Sequence, residues 1–372
     1  MERTGVTPPG AVVAPDLAEL VAAPGPFVTV YLTTAADIDN AAHRSEQHWK
    51  PLRRDLAEAG APEEALAAID PLVPDAHLQG QTLAAVASAA GLGHVEHLAE
   101  PPARDRASFG PVPALVPILA WRQSQPPHVG VLADRTGADI FLVRHDRPEV
   151  RREAGGDDHP LHRAKAGGWS QLRFQHRAEN TWERNADDVA AQVTDLFDRS
   201  GARLVIVAGE VRAVQLIQEA LPDRVAERLE VVDGERSPGG SEEEFGAEVH
   251  GRLAGAVARD TLQLVEKFRE ERGQGDRAAD GPEATVAALA QGQVEVLLVH
   301  EDPDDERRAW FGPGPTAIGL RPDDLAALGV DRPSEAPLVD VAVRAALATR
   351  AGIRVVPAGQ AATGGLGAIL RW

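Results

Sequence analysis

The residues with the clearest chemical potential lie together in Lys165-Ala166-Gly167-Gly168-Trp169-Ser170-Gln171-Leu172-Arg173-Phe174. Two adjacent glycines give the backbone unusual freedom, and an aromatic follows at once. Arg163, Lys165, Arg173, Arg177 and Arg184 surround that point, against Glu179 and Glu183 between residues 161 and 185. Five basic minus two acidic residues leave the window at +3, in a chain whose formal charge is -19. A basic segment tipped by tryptophan suits entry into a polyanionic cavity, where stacking on a base contributes about 1–3 kcal/mol. The competing reading is a surface turn with a chance cluster of charge. The indole N–H only donates, so Trp169 cannot take a proton from water. It is a better plug than a catalytic group, and Gln171 lies two residues beyond it.

Other chemistry is missing from the sequence. There are no cysteines, which removes disulfides, thiolate metal sites and a cysteine nucleophile. No Walker phosphate loop, Gly-x-Ser-x-Gly elbow or His-Glu-x-x-His helix occurs. Lysine occurs only at positions 50, 165 and 267, so Schiff-base chemistry has few candidates. Asp157, Asp158, His159 and His162 lack ligand spacing on a predicted helix, so neither a metal nor another cofactor is expected. No catalytic residue is assigned. Glu210 and Arg212, at a predicted strand-to-helix turn, are candidate ligand contacts; a salt-bridged turn is the alternative. The acidic balance disfavours binding along bare nucleic acid, DNA included, and leaves room for docking through a local basic surface. No apolar run reaches the roughly 18 residues a membrane span needs, and Met1–Pro15 lacks a signal-peptide layout, so a cytoplasmic location is expected.

The predicted elements describe an α/β chain. Residues 1–15 read as a loose arm. Phe27–Leu32 is a buried strand, residues 38–59 and 62–73 are helical, and 83–87 and 94–98 are short strands. Pro111–Trp121 is a further apolar segment broken by prolines. His43, His48 and Trp49 fall on a predicted helix, either facing RNA or forming ordinary helix surface and core edge. A hairpin over 128–143 opens a second region, and residues 145–168 follow as a polar excursion. A helix carrying Trp182, Val189, Val193, Leu196 and Phe197 comes next, with Trp182 read as core. Strands follow at 204–208 and 229–233, then a long helix over 242–272. Gly273–Gly281 reads as a linker. Beyond it come a helix at 283–290, a strand at 294–299, a helix within 337–349, a strand at 353–357 and a closing Gly-rich strand. This gives domains over 1–126, 127–277 and 278–372.

Gly-Gly-Trp-Ser-Gln-Leu-Arg-Phe resembles the Gly-Gly-Gln-Ser-x-x-Arg-Phe loop of archaeal and eukaryotic class-1 release factors, with Trp169 in the glutamine's place. The whole chain is similar to the bacterial branch of that release-factor and Pelota family, the branch that includes Balon-type ribosome hibernation factors. The resemblance implies a three-domain α/β architecture with mixed sheets flanked by helices. Its C-terminal domain would be like a kink-turn-binding protein, and its partners the rRNA and proteins of the ribosomal A site, with EF-Tu as a further partner. It makes Arg163, Lys165, Gly167, Gly168, Trp169, Ser170, Gln171, Arg173, Phe174 and Arg177 the ribosome-contacting set. The stop-codon motifs Asn-Ile-Lys-Ser and Tyr-x-Cys are not present, which argues against codon-specific termination. The expectation is a hibernation or stress factor. A peptidyl-tRNA hydrolase or rescue factor, and a non-ribosomal interaction scaffold, stand as alternatives.

Overall fold

Phe27–Thr33 carries β-branched or aromatic residues at most positions, the pattern of a strand covered on both faces. In the structure, a computed structural model, it is central. The structure describes residues 10–34, 41–100, 104–134, 137–144, 147–154, 182–232, 242–275, 277–300, 302, 305–357 and 362–372. Residues 1–123 and 260–372 form one compact unit, and residues 124–259 form another.

In the first unit, helix α1 (Pro15–Ala22) leads into β1 (Phe27–Thr33). Helices α2 (Ala41–Glu58) and α3 (Glu63–Ile69) precede β2 (Thr82–Ser88), β3 (Gly91–Leu98), β4 (Arg106–Gly110) and α4 (Val116–Ser124). The sheet runs β3-β2-β1-β4 with every neighbour antiparallel. Alternation divides the side chains of β1. Val28, Val30 and Leu32 pack with Trp49, Leu56, Leu66 and Ile69 of α2 and α3, while Phe27 and Tyr31 pack with α1 and α4. His48 bonds Asp105 at 2.6 Å, and the buried Trp49 indole donates to Asp70 at 2.8 Å. That is the core-edge outcome for the pair. The apolar stretch after Pro111 supplies helix α4, whereas the strand beside β1 is the more polar β4.

The second unit holds β5 (His128–Asp134), β6 (Gly137–Arg144), β7 (Arg147–Ala154), α5 (Trp182–Ser200), β8 (Leu204–Gly209), α6 (Val211–Ala220), the short α7 (Asp223–Ala226), β9 (Leu229–Val231) and the first part of α8 (Glu242–Gln274). Its sheet order is β7-β6-β5-β8-β9, antiparallel on the β7 side and parallel from β5 to β9. Val189, Val193 and Leu196 of α5 and Val214 and Ile217 of α6 cover one face. Val249, Leu253 and Ala256 of α8 cover β8 on the other. Residues 147–154, expected within a polar excursion, form the edge strand β7. Five of its eight residues are charged, and Arg152 interrupts the apolar positions Pro148, Val150 and Ala154, so little hydrophobic signal announces a strand.

His128, on β5, is 2% exposed, and its Nδ1 lies 3.0 Å from the Pro126 carbonyl. Burial pushes its pKa down to about 4, with the Pro126 bond opposing and His250 assisting. The unfolded chain therefore takes up a proton below about pH 6.5 that the folded chain refuses until about pH 4. Stability attributable to this group is present above that window and falls as pH drops through it. At pH 5 wild type should lose about 2 kcal/mol relative to pH 7 beyond any loss shown by His128→Gln. Denaturant midpoints at the two pH values measure this, and parallel losses in both proteins would refute it.

Returning to the first unit, β10 (Ala278–Asp280), α9 (Pro282–Ala290), β11 (Val294–Val299), β12 (Arg308–Phe311), β13 (Ile318–Gly319), α10 (Pro322–Ala326), β14 (Ser334–Pro337), α11 (Leu338–Ala348), β15 (Gly352–Val355) and β16 (Leu366–Leu370) follow in order. The main sheet is β10-β16-β11-β15, with β11 and β15 parallel and the other neighbours antiparallel. A three-stranded sheet, β13-β12-β14, stands beside it. Helices α9 and α11 cover one face of the main sheet, and Leu264, Val265 and Phe268 of α8 cover the other. Residues 10–14 are not the loose arm expected. Val12 exchanges both backbone hydrogen bonds with Ile353, at 2.8 and 2.9 Å, and Ala11 is buried. Among the described residues no helix is long and apolar enough to cross a membrane.

Candidate functional site

The ten residues expected to contact the ribosome, Arg163 to Arg177, lie outside the described residues, as do Asp157, Asp158, His159 and His162. Their flanks are described. Register places Ala154 opposite Ala138, Ala138 opposite Ala133, and Ala133 opposite Gly209. One row of four small residues therefore crosses β7, β6, β5 and β8. Ala154 is the last described residue of β7. Helix α5 then runs back along the sheet toward the opposite edge, where the Arg144 guanidinium donates to the Ser200 carbonyl at 2.7 Å. An ion pair of Arg152 with Asp195 at 3.0 Å ties β7 to α5 between these ends. Ala154 thus lies toward the edge formed by the carboxyl ends of the parallel strands β5 and β8.

That edge is also a topological switch point, because the chain after β5 turns one way into β6 and later returns on its other side as β8. Ligand sites of α/β sheets favour such points. Gly209 ends β8 with φ 138°, and a Cβ there would overlap the Ala133 carbonyl. Glycine alone lets the two backbones approach this closely. The next amide, Glu210 N–H, donates to Ala133 O at 3.2 Å, and Glu210 O accepts from Val214 N–H at 3.0 Å to start α6. Glu210 is half-buried at this turn, and Arg212 is exposed in the first turn of α6. The two candidate contacts therefore stand at the same edge as Ala154, the last described residue before Trp182.

A second feature, in the first unit, had no signal in the sequence. A cavity of about 200 Å³ is lined by Tyr31, Arg106, Ser108, His300, Asp302 and Asp340, among others. The Arg106 guanidinium lies 5.0 Å from the Tyr31 ring centroid. His300 Nδ1 is 3.1 Å from the Val356 carbonyl. Asp340, in the first turn of α11, is partly exposed to the cavity. Lost hydration pushes its carboxyl up to about 7, against the opposing pull of Arg106 and then Arg308. The cavity is smaller than the roughly 300–1,000 Å³ usual for organic ligands. Among the described residues no three His, Asp or Glu side chains are grouped to hold a metal.

The model of the bacterial archaeo-eukaryotic release factor family 2 matches residues 127–274, the stretch that carries the switch-point edge and the two glycines. Two curated relatives, the uncharacterized proteins Rv2629 and MT2704 of Mycobacterium tuberculosis, are each 30% identical over 366 residues, covering 95% of both chains. The chain belongs to the bacterial archaeo-eukaryotic release factor family. Solved structures similar to this release-factor relative include the archaeal translation termination factor aRF1 (18% identity, 96% of each chain, TM-score 0.23). Another is archaeal Pelota in a model of ribosome-bound Pelota and ABCE1 (16% identity, 99% of this chain and 95% of that one, TM-score 0.38). With scores this low, membership rests on the matched segment and the mycobacterial relatives. The mixed α/β, multi-sheet organisation expected of a release-factor-like chain is present.

Proposed function

We propose that this protein is a ribosome-binding factor that occupies the A site and silences or protects idle ribosomes. The observation carrying the reading is the +3 Gly-Gly-Trp window in a chain of net charge -19, within the segment matched by the release-factor family. Family membership supplies the context. Gly167, Gly168 and Trp169 enter the peptidyl-transferase centre, and Arg163, Lys165, Arg173 and Arg177 meet rRNA phosphates. Ser170, Gln171 and Phe174 shape the tip. The bulk and donor-only chemistry of Trp169 favour plugging over water positioning. The stretch 1–126 faces the decoding centre, and 278–372 faces the GTPase-associated region, with EF-Tu as escort.

Co-sedimentation with vacant bacterial ribosomes across a salt series tests this. Changing Gly167, Gly168 and Trp169 to alanine should weaken binding roughly tenfold, in keeping with about 1–3 kcal/mol from stacking. Raising the salt should weaken wild type steeply, because phosphate contacts release counterions. Failure of wild type to pellet with ribosomes, even with EF-Tu added, would overturn the reading.

A further inference from the structure

Residues 124–259 leave the first unit after Gln123 and rejoin it at Asp260, and the contacts at those two points converge. The Gln123 side-chain amide donates to the Val355 carbonyl at 2.7 Å and accepts from the Val355 N–H at 2.9 Å. On the preceding residue, the Arg354 guanidinium donates to the Gly10 carbonyl at 2.6 Å and to the Thr261 hydroxyl. Consecutive Cα atoms are about 3.8 Å apart, so both crossings are anchored at nearly one point on β15. The N-terminal strap is anchored there too: Val12 pairs with Ile353, and a Cβ on Gly352 would lie 2.6 Å from that of Ala11. Arg354 is 2% exposed, and a guanidinium buried that deeply is costly unless its donors are bonded. Apolar packing runs across the same junction. Leu17, Leu20 and Val21 of α1 share one core with Leu338, Val341 and Ala345 of α11.

We propose that Arg354 and Val355 form a junction that makes residues 1–123 and 260–372 one cooperative unit, with residues 124–259 inserted at that single point. The shared apolar core supplies the bulk of the energy. The polar junction fixes which three segments meet, since each side chain there has a partner from a different part of the chain. A perturbation of β15 therefore reaches the sheet of β1 and β2 directly, without passing through the inserted unit.

Hydrogen exchange on the full chain, wild type against Arg354→Met, tests it. Exchange in β1, β2 and β11 should accelerate together by about tenfold or more, while β5 and β8 keep their wild-type rates. Acceleration confined to β11 and β15, with β1 and β2 unchanged, would overturn the proposal. So would equal acceleration in β5 and β8. Should Arg354→Met fail to fold, Gln123→Ala removes both bonds to Val355 without stranding a buried charge. It should give the same shared pattern at roughly threefold to tenfold. Unchanged rates in β1 and β2 there, with β11 accelerated, would again refute it.

Discussion

Gly209→Ala should destabilise the second unit by roughly 3 kcal/mol or more and disorder the β8–α6 turn. Two costs combine. The backbone sits at φ 138°, where an L side chain is strained, and the new methyl would overlap the Ala133 carbonyl across the parallel pair β5–β8. Relief requires β8 to separate from β5 at the row that also contains Ala138 and Ala154. The loss therefore extends along that row to Ala154 on β7. Denaturant unfolding measures the stability. Gly201→Ala is the control, because its φ is also positive, at 71°, but nothing lies within 4 Å of an added Cβ. If both variants lost equally, the close approach to Ala133 would not be the cause.

Arg122→Ala should cost the first unit about 3–5 kcal/mol, the scale of breaking a buried ion pair from one side. Arg122 is 8% exposed and holds both oxygens of Asp16, at 2.9 and 2.7 Å, and both of Glu96, at 3.1 Å each. Truncation removes both Arg122 bonds to the enclosed Glu96, whose carboxylate also lies 3.1 Å from His94. Two carboxylates that were bridged would then repel across the gap between α1 and β3. Arg122→Met combined with Glu96→Gln should recover more than half of the loss, since it removes the stranded charge and keeps the volume. Thermal unfolding decides the matter: an Arg122→Ala protein within about 1 kcal/mol of wild type would show that the network is not structural. The pH dependence has a definite sign. Burial raises the Asp16 pKa, but the bonds and charge of Arg122 outweigh it and the net shift is below 3.8. The contribution of Asp16 is therefore present above that value and lost as pH falls through its lowered folded pKa.

Much of this protein could be read from sequence because the relevant signal is local. The runs Phe27–Leu32, Leu204–Ala208 and Val294–Val299 are strands covered on both faces, and their β-branched density shows it. The stripe of Val249, Leu253 and Val265 marked the long helix α8, and the Gly-Gly-Trp motif with its basic flanks pointed to the release-factor family. Other features needed the tertiary structure. Arg147–Ala154 is polar, and it is a strand because β6 offers it a ladder. Arg308–Phe311 is four residues long and gains its pairing from Ile318–Gly319 and Ser334–Pro337. The Arg122 network joins residues 106 positions apart, and the Gln123–Val355 bonds span 232. Periodicity along a chain reports which face of an element will be buried. It does not report what will bury it, because the partner of each buried charge, edge strand and strap is chosen by packing between segments remote in sequence.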